Sequence, residues 1–465
     1  MYVNKKTILG VCPIGKFVFS HEDAMVQKRK IYSKLDELDV NYVTVEEVLT
    51  DGMVRDQSDV DPVVAFFTAK KITALFIPHC NFGTEGAAAM ISKRLGVPVL
   101  LWGPQDGAPE ADGSRLRDTL CGLFATSGVL AKLGVTFSYI ENCNVGDDAF
   151  VKGVSDFTRV ANVVNSFRNA RVGLIGGRID FFWTCIINEN ELLDRFGIQV
   201  LPFEMPLVLE DIRKRARDNQ EGYEKELAAM DWLDTSNIDN KFDLVLGLAE
   251  RDELIRIAKE NKLDALAIQS FNALSSEMGS GAALGTALAA EEILIADESD
   301  IHGAISSILV RAASSSEYPV FFPEFVVRHP EEQNVACIWH AGAPVSLRAC
   351  KDGKVRILGP WILPGTKPTS MQFRLMDGEL TVCRFDGAQN TYRLGVGKFK
   401  TTEGPPTRDY YAWVELDDWR KWEKTLINGP YIHHLSAAYD DCSEVLIEAA
   451  RYIPGLDLEI FGGTD

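Results

Sequence analysis

Residues 265–307 read ALAIQSFNALSSEMGSGAALGTALAAEEILIADESDIHGAISS, and they contain two apolar strands with a Gly/Ala-rich helix between them. The first strand, Ala265–Ile268, runs into a polar turn that carries Glu277. The second strand, Ile293–Ala296, ends shortly before Asp300. Apolar strands that alternate with helices predict a parallel sheet covered on both faces. Ligands bind outside the carboxyl ends of such strands, so we expect Glu277 and Asp300 to face one crevice.

The same alternation extends over most of the chain before residue 329. Further strands are predicted at Thr7–Cys12, Asn41–Val45, Ala74–Pro78, Pro98–Leu101, Thr136–Tyr139, Arg171–Ile175 and Ile198–Pro202. Helices are predicted at Glu22–Leu38, Glu85–Leu95, Leu209–Met230 and Asn240–Asn261. The pattern restarts at residue 171, which indicates two doubly wound α/β domains, residues 1–168 and 169–328.

After residue 328 the apolar residues take the period of strands. The predicted strands are Val335–Trp339, Val345–Ala349, Val355–Leu358, Gln372–Leu375, Leu380–Phe385, Thr391–Val396 and Tyr411–Val414. Gly, Pro and Asp turns separate them, and a helix follows at Trp419–Leu426. Such spacing is typical of an antiparallel sheet or barrel. We therefore expect a β-rich, antiparallel barrel-like domain over residues 329–465.

Length and charge exclude several classes of protein. The 465 residues suffice for about three domains without disulfides or a structural metal. Lys and Arg number 48 against 67 Asp and Glu, which gives a formal net charge of −19. This surplus repels nucleic acids and anionic lipids. Nine cysteines without CxxC spacing favour a reducing, cytoplasmic location, and no apolar run approaches the length of a membrane span.

Carboxylates near Asp300 have two interpretations. Carboxylate oxygens together with an imidazole suit a divalent cation such as Mg²⁺ or Mn²⁺. Alternatively, Asp297, Glu298 and Asp300 cap the helix that begins near Ile301, because acidic side chains favour helix N-termini. Spacing alone favours the capping interpretation and leaves the metal site open.

Histidines offer the imidazole that such a cation site needs. His433 and His434 are adjacent on a predicted strand, so their side chains point in opposite directions and at most one reaches a site. His340 directly follows a predicted strand, and each of the three has a purely structural alternative. Arg178 follows the glycines of IGGR, which indicate a tight turn rather than a phosphate loop, and could hold an anionic or hydroxylated ligand.

The chain resembles the L-fucose/L-arabinose isomerase superfamily, particularly its fucose-isomerase-related branch. The matching motifs are HCNFG (79–83), LWGPQD (101–106), DTLCG (118–122), IGGR (175–178), DRFGIQV (194–200), ESDIHGA (298–304), WHAGAP (339–344) and GPYIHHL (429–435). They span nearly the whole chain in the order of the family. The resemblance implies two Rossmann-like domains followed by a β-rich domain, assembled as a hexamer or trimer.

It also implies a metal site and a reaction. Carried over from the family, Mn²⁺, or another cation such as Mg²⁺ or Co²⁺, would bind Asp300 of the ESD motif and one histidine of the pair, with His434 slightly favoured over His433. The resemblance implies Glu277 as the other carboxylate, because it precedes Asp300 by 23 residues, close to the interval in the family. The two carboxylates would also move protons in an aldose–ketose isomerisation of an unphosphorylated sugar through a cis-enediol. The residues expected to orient the sugar are His340, Arg178, Trp183 and His302. A non-catalytic sugar-binding or sensor protein on the same scaffold stays the alternative.

Overall fold

The computed structural model describes residues 7–351, 353–359 and 369–463, without the side chains of residues 271, 272 and 388. The chain divides into two compact units, residues 5–165 and residues 166–465. The division lies close to the predicted boundary at residue 168, and the predicted three-domain organisation stays a prediction. No described helix has the length and apolar character to cross a membrane.

The unit of residues 5–165 contains a five-stranded parallel sheet. Its strands are β1 (Leu9–Val11), β2 (Tyr42–Thr44), β3 (Ala74–Pro78), β4 (Val99–Trp102) and β5 (Ser138–Tyr139), in the order β2–β1–β3–β4–β5. The helices are α1 (His21–Glu37), α2 (Val60–Ala69), α3 (Glu85–Leu95), α4 (Thr119–Lys132) and α5 (Asp148–Phe167). Every residue of β1, β3 and β4 is buried, as expected for strands covered on both faces.

Residues 166–465 contain two sheets, of which the first is parallel and has four strands. These are β6 (Arg171–Ile175), β7 (Gln199–Phe203), β9 (Ala265–Ile268) and β10 (Ile295–Ala296), in the order β10–β9–β6–β7, while β8 (Leu233–Asp234) belongs to the other sheet. The helices are α6 (Glu189–Phe196), α7 (Met205–Asp218), α8 (Gln220–Ala228), α9 (Lys241–Glu260), α10 (Ser275–Met278), α11 (Gly281–Ala289) and α12 (Ile301–Ala313). The two doubly wound α/β regions of the predicted fold are confirmed.

The second sheet of this unit has ten strands and mixed direction. It comprises β8, β11 (Glu324–Arg328), β12 (Val335–His340), β13 (Val355–Leu358), β14 (Ser370–Arg374), β15 (Glu379–Ala388), β16 (Thr391–Thr402), β17 (Tyr410–Glu415), β18 (Ser436–Ala438) and β19 (Leu456–Ile460). Helices α13 (Trp419–Asn428) and α14 (Ser443–Ala450) accompany it. The strand order β18–β15–β16–β17–β14–β13–β8 ends in open edges, so over the described residues the sheet does not close.

The predicted β-rich region is therefore confirmed, although its sheet is neither closed into a barrel nor wholly antiparallel. The sheet is open, and β13 with β8, β14 with β17 and β16 with β19 pair in parallel. The predicted strand at Val345–Ala349 is wrong, because Val345–Leu347 forms one turn of 3-10 helix after Pro344. The predicted helix at Leu209–Met230 is interrupted at Asn219, which ends α7 and precedes α8.

Candidate active site

The loop between β10 and α12 holds its backbone in an unusual conformation. Glu298 and Ser299 have φ angles of +60° and +58°. Residues other than glycine adopt this left-handed backbone conformation only at a cost in free energy. The Ser299 hydroxyl donates to the carbonyl of Gly177 at 3.1 Å, which ties the loop to the segment after β6. Backbone strain of this kind clusters at functional sites.

Asp300 ends this loop and caps α12. Its Oδ1 accepts a hydrogen bond from the backbone N–H of Gly303 at 2.9 Å, so the capping interpretation is confirmed for this residue. A Cβ atom at Gly303 would lie 2.8 Å from Asp300 Oδ2 and 2.4 Å from the Phe322 ring, which explains the glycine. The cap leaves Oδ2 available to groups from the ten-stranded sheet.

His434 reaches Asp300 from the segment before β18. Its side chain is fully buried, and its Nδ1 lies 2.9 Å from Asp300 Oδ2. Residue 434 forms an isolated antiparallel bridge with Glu324, which brings the start of β11 alongside. The contacts with Asp300 and Glu298 raise the pKa of His434, although burial alone would lower it.

The other ring nitrogen of His434 faces carboxylates without forming a hydrogen bond. Nε2 lies 3.3 Å from Glu298 Oε2 and 3.7 Å from Glu324 Oε2. Both Nε2 and Glu298 Oε2 are buried, approach each other as an ion pair and have no hydrogen-bond partner among the described residues. Buried polar atoms are normally paired, so these two atoms are candidates for contact with a bound ligand.

His340 and Asp297 form a buried pair beside this spot. His340 Nδ1 lies 3.3 Å from Asp297 Oδ2, and the His340 and His434 rings are 5.3 Å apart. Burial lowers the pKa of His340, but Asp297, Glu324 and Glu298 raise it to about 10. A bound cation would oppose this shift and favour the neutral form of the ring.

Arg384 of β15 forms the other wall of the site. This fully buried guanidinium contacts both oxygens of Asp300, at 2.5 and 3.2 Å, and Asp386 Oδ2 at 2.9 Å. Asp386 in turn lies 3.0 Å from His302 Nδ1. Burial raises the pKa of the Asp300 carboxyl, but Arg384 and His434 more than offset this and hold it well below its usual range.

Among the described residues, ligand atoms that can share one cation occur in three groups around His434, within 4.8 Å of one another. The groups are Glu298, His340 and His434; Glu324, His433 and His434; and Cys185, Asp300 and His434. Apart from Cys185, these groups contain six residues, which we call the His434 cluster: Glu298, Asp300, Glu324, His340, His433 and His434. The first group is wholly buried and contains the two unpartnered atoms, so it offers the best-prepared donors. Burial raises the pKa of the third group's Cys185 to about 12, which disfavours a free thiolate there.

Glu277 belongs to none of these groups in the described part of the chain. Its side chain lies on α10, is half exposed and forms an ion pair with Arg213. The polar turn after β9 places this carboxylate beside Arg213 and partly in solvent, and the crevice expected to be shared by Glu277 and Asp300 stays a prediction. The predicted metal and proton-transfer roles of Glu277 stay predictions.

The other predicted residues take varied positions. His433 is 42% exposed and lies 3.1 Å from Glu324, while its neighbour His434 is buried. Arg178 is exposed and donates to the carbonyls of residues 179, 180 and 182, which shapes the loop that carries the 73% exposed Trp183. His302 is buried against Asp386, and its Nε2 finds no partner among the described residues.

The sequence-based prediction of the site did not include three of its residues. Glu298 was considered only as a helix cap, although it shares the ESD motif with Asp300. Glu324 and Arg384 lie in strands where nothing in the local sequence separates them from ordinary surface charges. Burial is what distinguishes Arg384, and burial of one charged residue cannot be inferred from local sequence.

Comparison with known proteins identifies the family. Residues 10–168 match the family described as fucose/sulfoquinovose isomerase, N-terminal domain. A sulfoquinovose isomerase of Alkalicoccus urumqiensis is 30% identical over 319 residues, which cover 67% of this chain and 68% of that protein. This chain belongs to the fucose/sulfoquinovose isomerase family. Another sulfoquinovose isomerase, from Priestia megaterium (strain ATCC 12872 / QMB1551), is 24% identical over 96% of this chain and 97% of its own length.

Family membership confirms the resemblance to the L-fucose/L-arabinose isomerase superfamily and makes the chain an enzyme of carbohydrate metabolism. It is an aldose–ketose isomerase, an intramolecular oxidoreductase. These relatives favour the enzyme over the sugar-binding protein that the sequence left open. A solved structure, a periplasmic solute-binding protein of an ABC transporter from Actinobacillus succinogenes 130z with bound D-allose, is 12% identical over 68% of this chain and 85% of that chain. Its TM-score of 0.15 carries no argument.

Proposed function

We propose that the enzyme is a divalent-metal-dependent aldose–ketose isomerase that converts an unphosphorylated sugar through a cis-enediol. One observation carries the proposal: Glu298 Oε2 and His434 Nε2 are buried, 3.3 Å apart and unpartnered among the described residues. Leaving a buried polar atom unpaired costs about 1–3 kcal/mol. A cation bound to both atoms would remove both costs.

Three residues would hold the cation: Glu298, His340 and His434. One carboxylate and two imidazoles form a mixed oxygen and nitrogen donor set, which suits Mn²⁺ or Co²⁺ better than the oxygen-seeking Mg²⁺. When bound, the cation would supply Lewis-acid polarisation of the sugar carbonyl. The strained backbone at Glu298 supports this assignment, because it aims that carboxylate at His434 rather than at solvent.

Glu324 is our candidate for moving the proton between the two sugar carbons. Its side chain is 13% exposed, so it lies at the boundary between the buried ligands and solvent. Burial raises the pKa of Glu324, but His433, His340 and His434 lower it overall, which keeps the carboxylate ionised and able to accept a proton. The half-exposed His433, 3.1 Å away, can hydrogen-bond to this carboxylate while Glu324 takes the proton from one sugar carbon and returns it to the other. Asp300 is already engaged by Arg384 and His434, so Glu324 is better placed than the predicted pair of Glu277 and Asp300.

A hexose with a sulfonate group is the substrate that we propose first. The relatives carry the name sulfoquinovose isomerase, and a sulfonate is a permanent anion that needs a permanent cation. Arg178 is exposed and follows Gly177, whose carbonyl contacts Ser299 of the strained loop. Trp183 on the same loop offers an exposed aromatic face for the apolar side of a sugar ring.

Assembly and location are further parts of the proposal. The family resemblance implies a homo-oligomer, a hexamer or trimer, and strongly exposed apolar side chains such as Phe17 and Phe124 support a buried interface. Light scattering of the purified enzyme measures this directly. The nine cysteines form no disulfide among the described residues, which supports a reducing compartment such as the cytoplasm.

The test combines metal content with turnover. After mild purification, metal content is measured, and ketose formation with added Mn²⁺ is compared for sulfoquinovose, 6-deoxyhexoses and aldopentoses. We expect bound or activating metal and turnover that is highest with the sulfonated sugar and falls in Arg178→Gln for that sugar alone. No bound metal together with metal-independent turnover would contradict the metal-dependent mechanism. Equal loss with all sugars in Arg178→Gln would contradict the sulfonate assignment.

A further inference from the structure

A second set of cation ligands lies at the edge of the His434 cluster, where the cluster meets solvent. Glu324, His433 and His434 each offer a ligand atom, and these atoms lie within 4.8 Å of one another. We call these three residues the rim group, and Glu298, His340 and His434 the inner group. The inner group is wholly buried, whereas His433 of the rim group is 42% exposed. A cation can therefore reach the rim group without entering the buried part of the site.

Backbone pairing holds the rim group in place. His434 forms an isolated antiparallel bridge with Glu324, and the Leu435 N–H donates to the Pro323 carbonyl at 2.8 Å. Adjacent residues of a straight strand point to opposite faces, but the backbone bends at His433. With this bend the two imidazole rings lie side by side, and their centroids are 4.3 Å apart. Both histidines of the pair therefore face the same carboxylate.

The donor atoms of the rim group converge on Glu324. Its Oε2 lies 3.1 Å from His433 Nε2 and 3.7 Å from His434 Nε2. His434 Nε2 is buried and has no hydrogen-bond partner among the described residues. Two imidazole nitrogens and one carboxylate oxygen, with a fourth position left for water, are a donor set typical of zinc in proteins. Zn²⁺ also binds nitrogen and oxygen ligands more tightly than Mn²⁺ does.

His434 belongs to both groups, and its Nε2 faces both. This atom lies 3.3 Å from Glu298 Oε2 in the inner group and 3.7 Å from Glu324 Oε2 in the rim group. An imidazole nitrogen has one lone pair and therefore binds one cation at a time. A cation in the rim group would take this ligand from a cation in the inner group. It would also engage Glu324, the carboxylate that we propose for proton transfer.

We infer that the rim group is an inhibitory zinc site: Zn²⁺ bound to Glu324, His433 and His434 excludes the activating cation from the inner group and occupies the Glu324 carboxylate. The inference rests on the proposed metal-dependent function, because it assigns His434 Nε2 to the activating cation. The inner group has the same kinds of donor atom, so Zn²⁺ in that group is the competing explanation of any inhibition. His433 separates the two explanations, since it belongs to the rim group and not to the inner group.

The experiment measures Zn²⁺ binding and Mn²⁺ release with the wild type, His433→Gln and His329→Gln. Competition with a chromophoric chelator gives the Zn²⁺ dissociation constant of each metal-free protein. Electron paramagnetic resonance then follows the Mn²⁺ that is released when Zn²⁺ is added to the Mn²⁺-loaded proteins. His329→Gln is the matched control, because His329 is also partly exposed and belongs to none of the three candidate groups of the described residues. Thermal unfolding checks that each variant folds.

We expect Zn²⁺ to release Mn²⁺ from the wild type. In His433→Gln, Zn²⁺ binding should weaken by at least about 10-fold, because loss of a ligand costs no less than loss of a supporting contact. The Zn²⁺ concentration that releases half of the Mn²⁺ should rise by a similar factor, and His329→Gln should match the wild type.

Unchanged Zn²⁺ affinity in His433→Gln would overturn the inference, because it would assign Zn²⁺ to ligands other than the rim group. Zn²⁺ bound together with Mn²⁺ on one wild-type chain would also overturn it. A wild type that binds Zn²⁺ through His433 but binds no Mn²⁺ would instead refute the proposed activating metal site and not the zinc site.

Discussion

Two loops leave the four-stranded sheet of residues 166–465 at the carboxyl ends of neighbouring strands, and they differ in what they do with their carboxylates. The loop after β9 carries Glu277, which is half exposed and paired with Arg213. The loop after β10 carries Glu298 and Asp300, both buried, on a backbone with two left-handed residues. The sequence assigned one metal carboxylate to each loop. The geometry concentrates the prepared donors in the second loop, so equivalent topological positions do not imply equivalent chemistry.

The largest effect is expected when the imidazole of His434, which the loop after β10 faces, is removed. His434→Gln should reduce ketose formation by about 10²–10⁴-fold, because loss of cation binding removes several kcal/mol of transition-state stabilisation. Steady-state rates at saturating Mn²⁺ measure it. His329→Gln, at a histidine outside the three candidate cation groups of the described residues, is the control and should lose much less. Similar losses in both variants would argue against His434 as the central ligand.

A smaller effect is expected from the glycine that allows the second loop to cap α12. Gly303→Ala should lower the free energy of unfolding by roughly 1–3 kcal/mol, because its Cβ would overlap Phe322 and crowd Asp300. Urea denaturation of the metal-free enzyme measures the change. Gly107→Ala, where no atom lies within 4 Å of the added Cβ, is a control without overlap. An unchanged midpoint in Gly303→Ala would show that the packing around the cap is looser than described.

The pH dependence of stability tests the charged state of the buried histidine. The folded state raises the pKa of His340 from 6.5 to about 10. A raised pKa means that the folded state binds the proton more tightly, so this stabilisation is complete below pH 6.5 and is lost as the pH rises through about 10. Unfolding of the metal-free wild type should therefore become easier over this range relative to His340→Gln. Parallel curves for the two proteins would contradict this assignment.

The smallest effect is expected when the ion pair of Glu277, in the segment after β9, is removed. Arg213→Ala removes the partner of Glu277, and both side chains are 40% or more exposed. Exposed ion pairs contribute about 0–1 kcal/mol, so stability and Mn²⁺ affinity should hardly change. Thermal unfolding and an Mn²⁺ titration measure both. A marked loss of Mn²⁺ affinity would show that this loop contributes to the site after all.

The sequence predicted several strands well. Strands Ala74–Pro78, Arg171–Ile175, Ala265–Ile268 and Val355–Leu358 match the structure residue for residue, and the first and third are buried on both faces. The order of motifs along the chain also led to the right superfamily. The open form of the ten-stranded sheet could not be predicted, because pairings such as that of β8 with β13 join residues more than 120 positions apart.

The candidate site was predicted less completely. Asp300, His434 and His340 lie close together: Asp300 follows β10, His340 ends β12 and His434 precedes β18. The sequence favours Glu277 as a metal ligand because of its spacing from Asp300. Spacing along the chain does not determine the direction in which a polar turn orients a side chain. Arg384 joins Asp300 across 84 positions of sequence, and only the folded chain shows that this guanidinium is buried.

The most direct measurement compares the carboxylates of the two loops. Glu298→Gln and Glu277→Gln change one oxygen to an amide in each loop, and Mn²⁺ dissociation constants are measured on both metal-free variants and the wild type. We predict that Glu298→Gln weakens Mn²⁺ binding by at least about 10-fold, whereas Glu277→Gln leaves it within about 2-fold of the wild type. Wild-type affinity in Glu298→Gln together with lost affinity in Glu277→Gln would contradict the account.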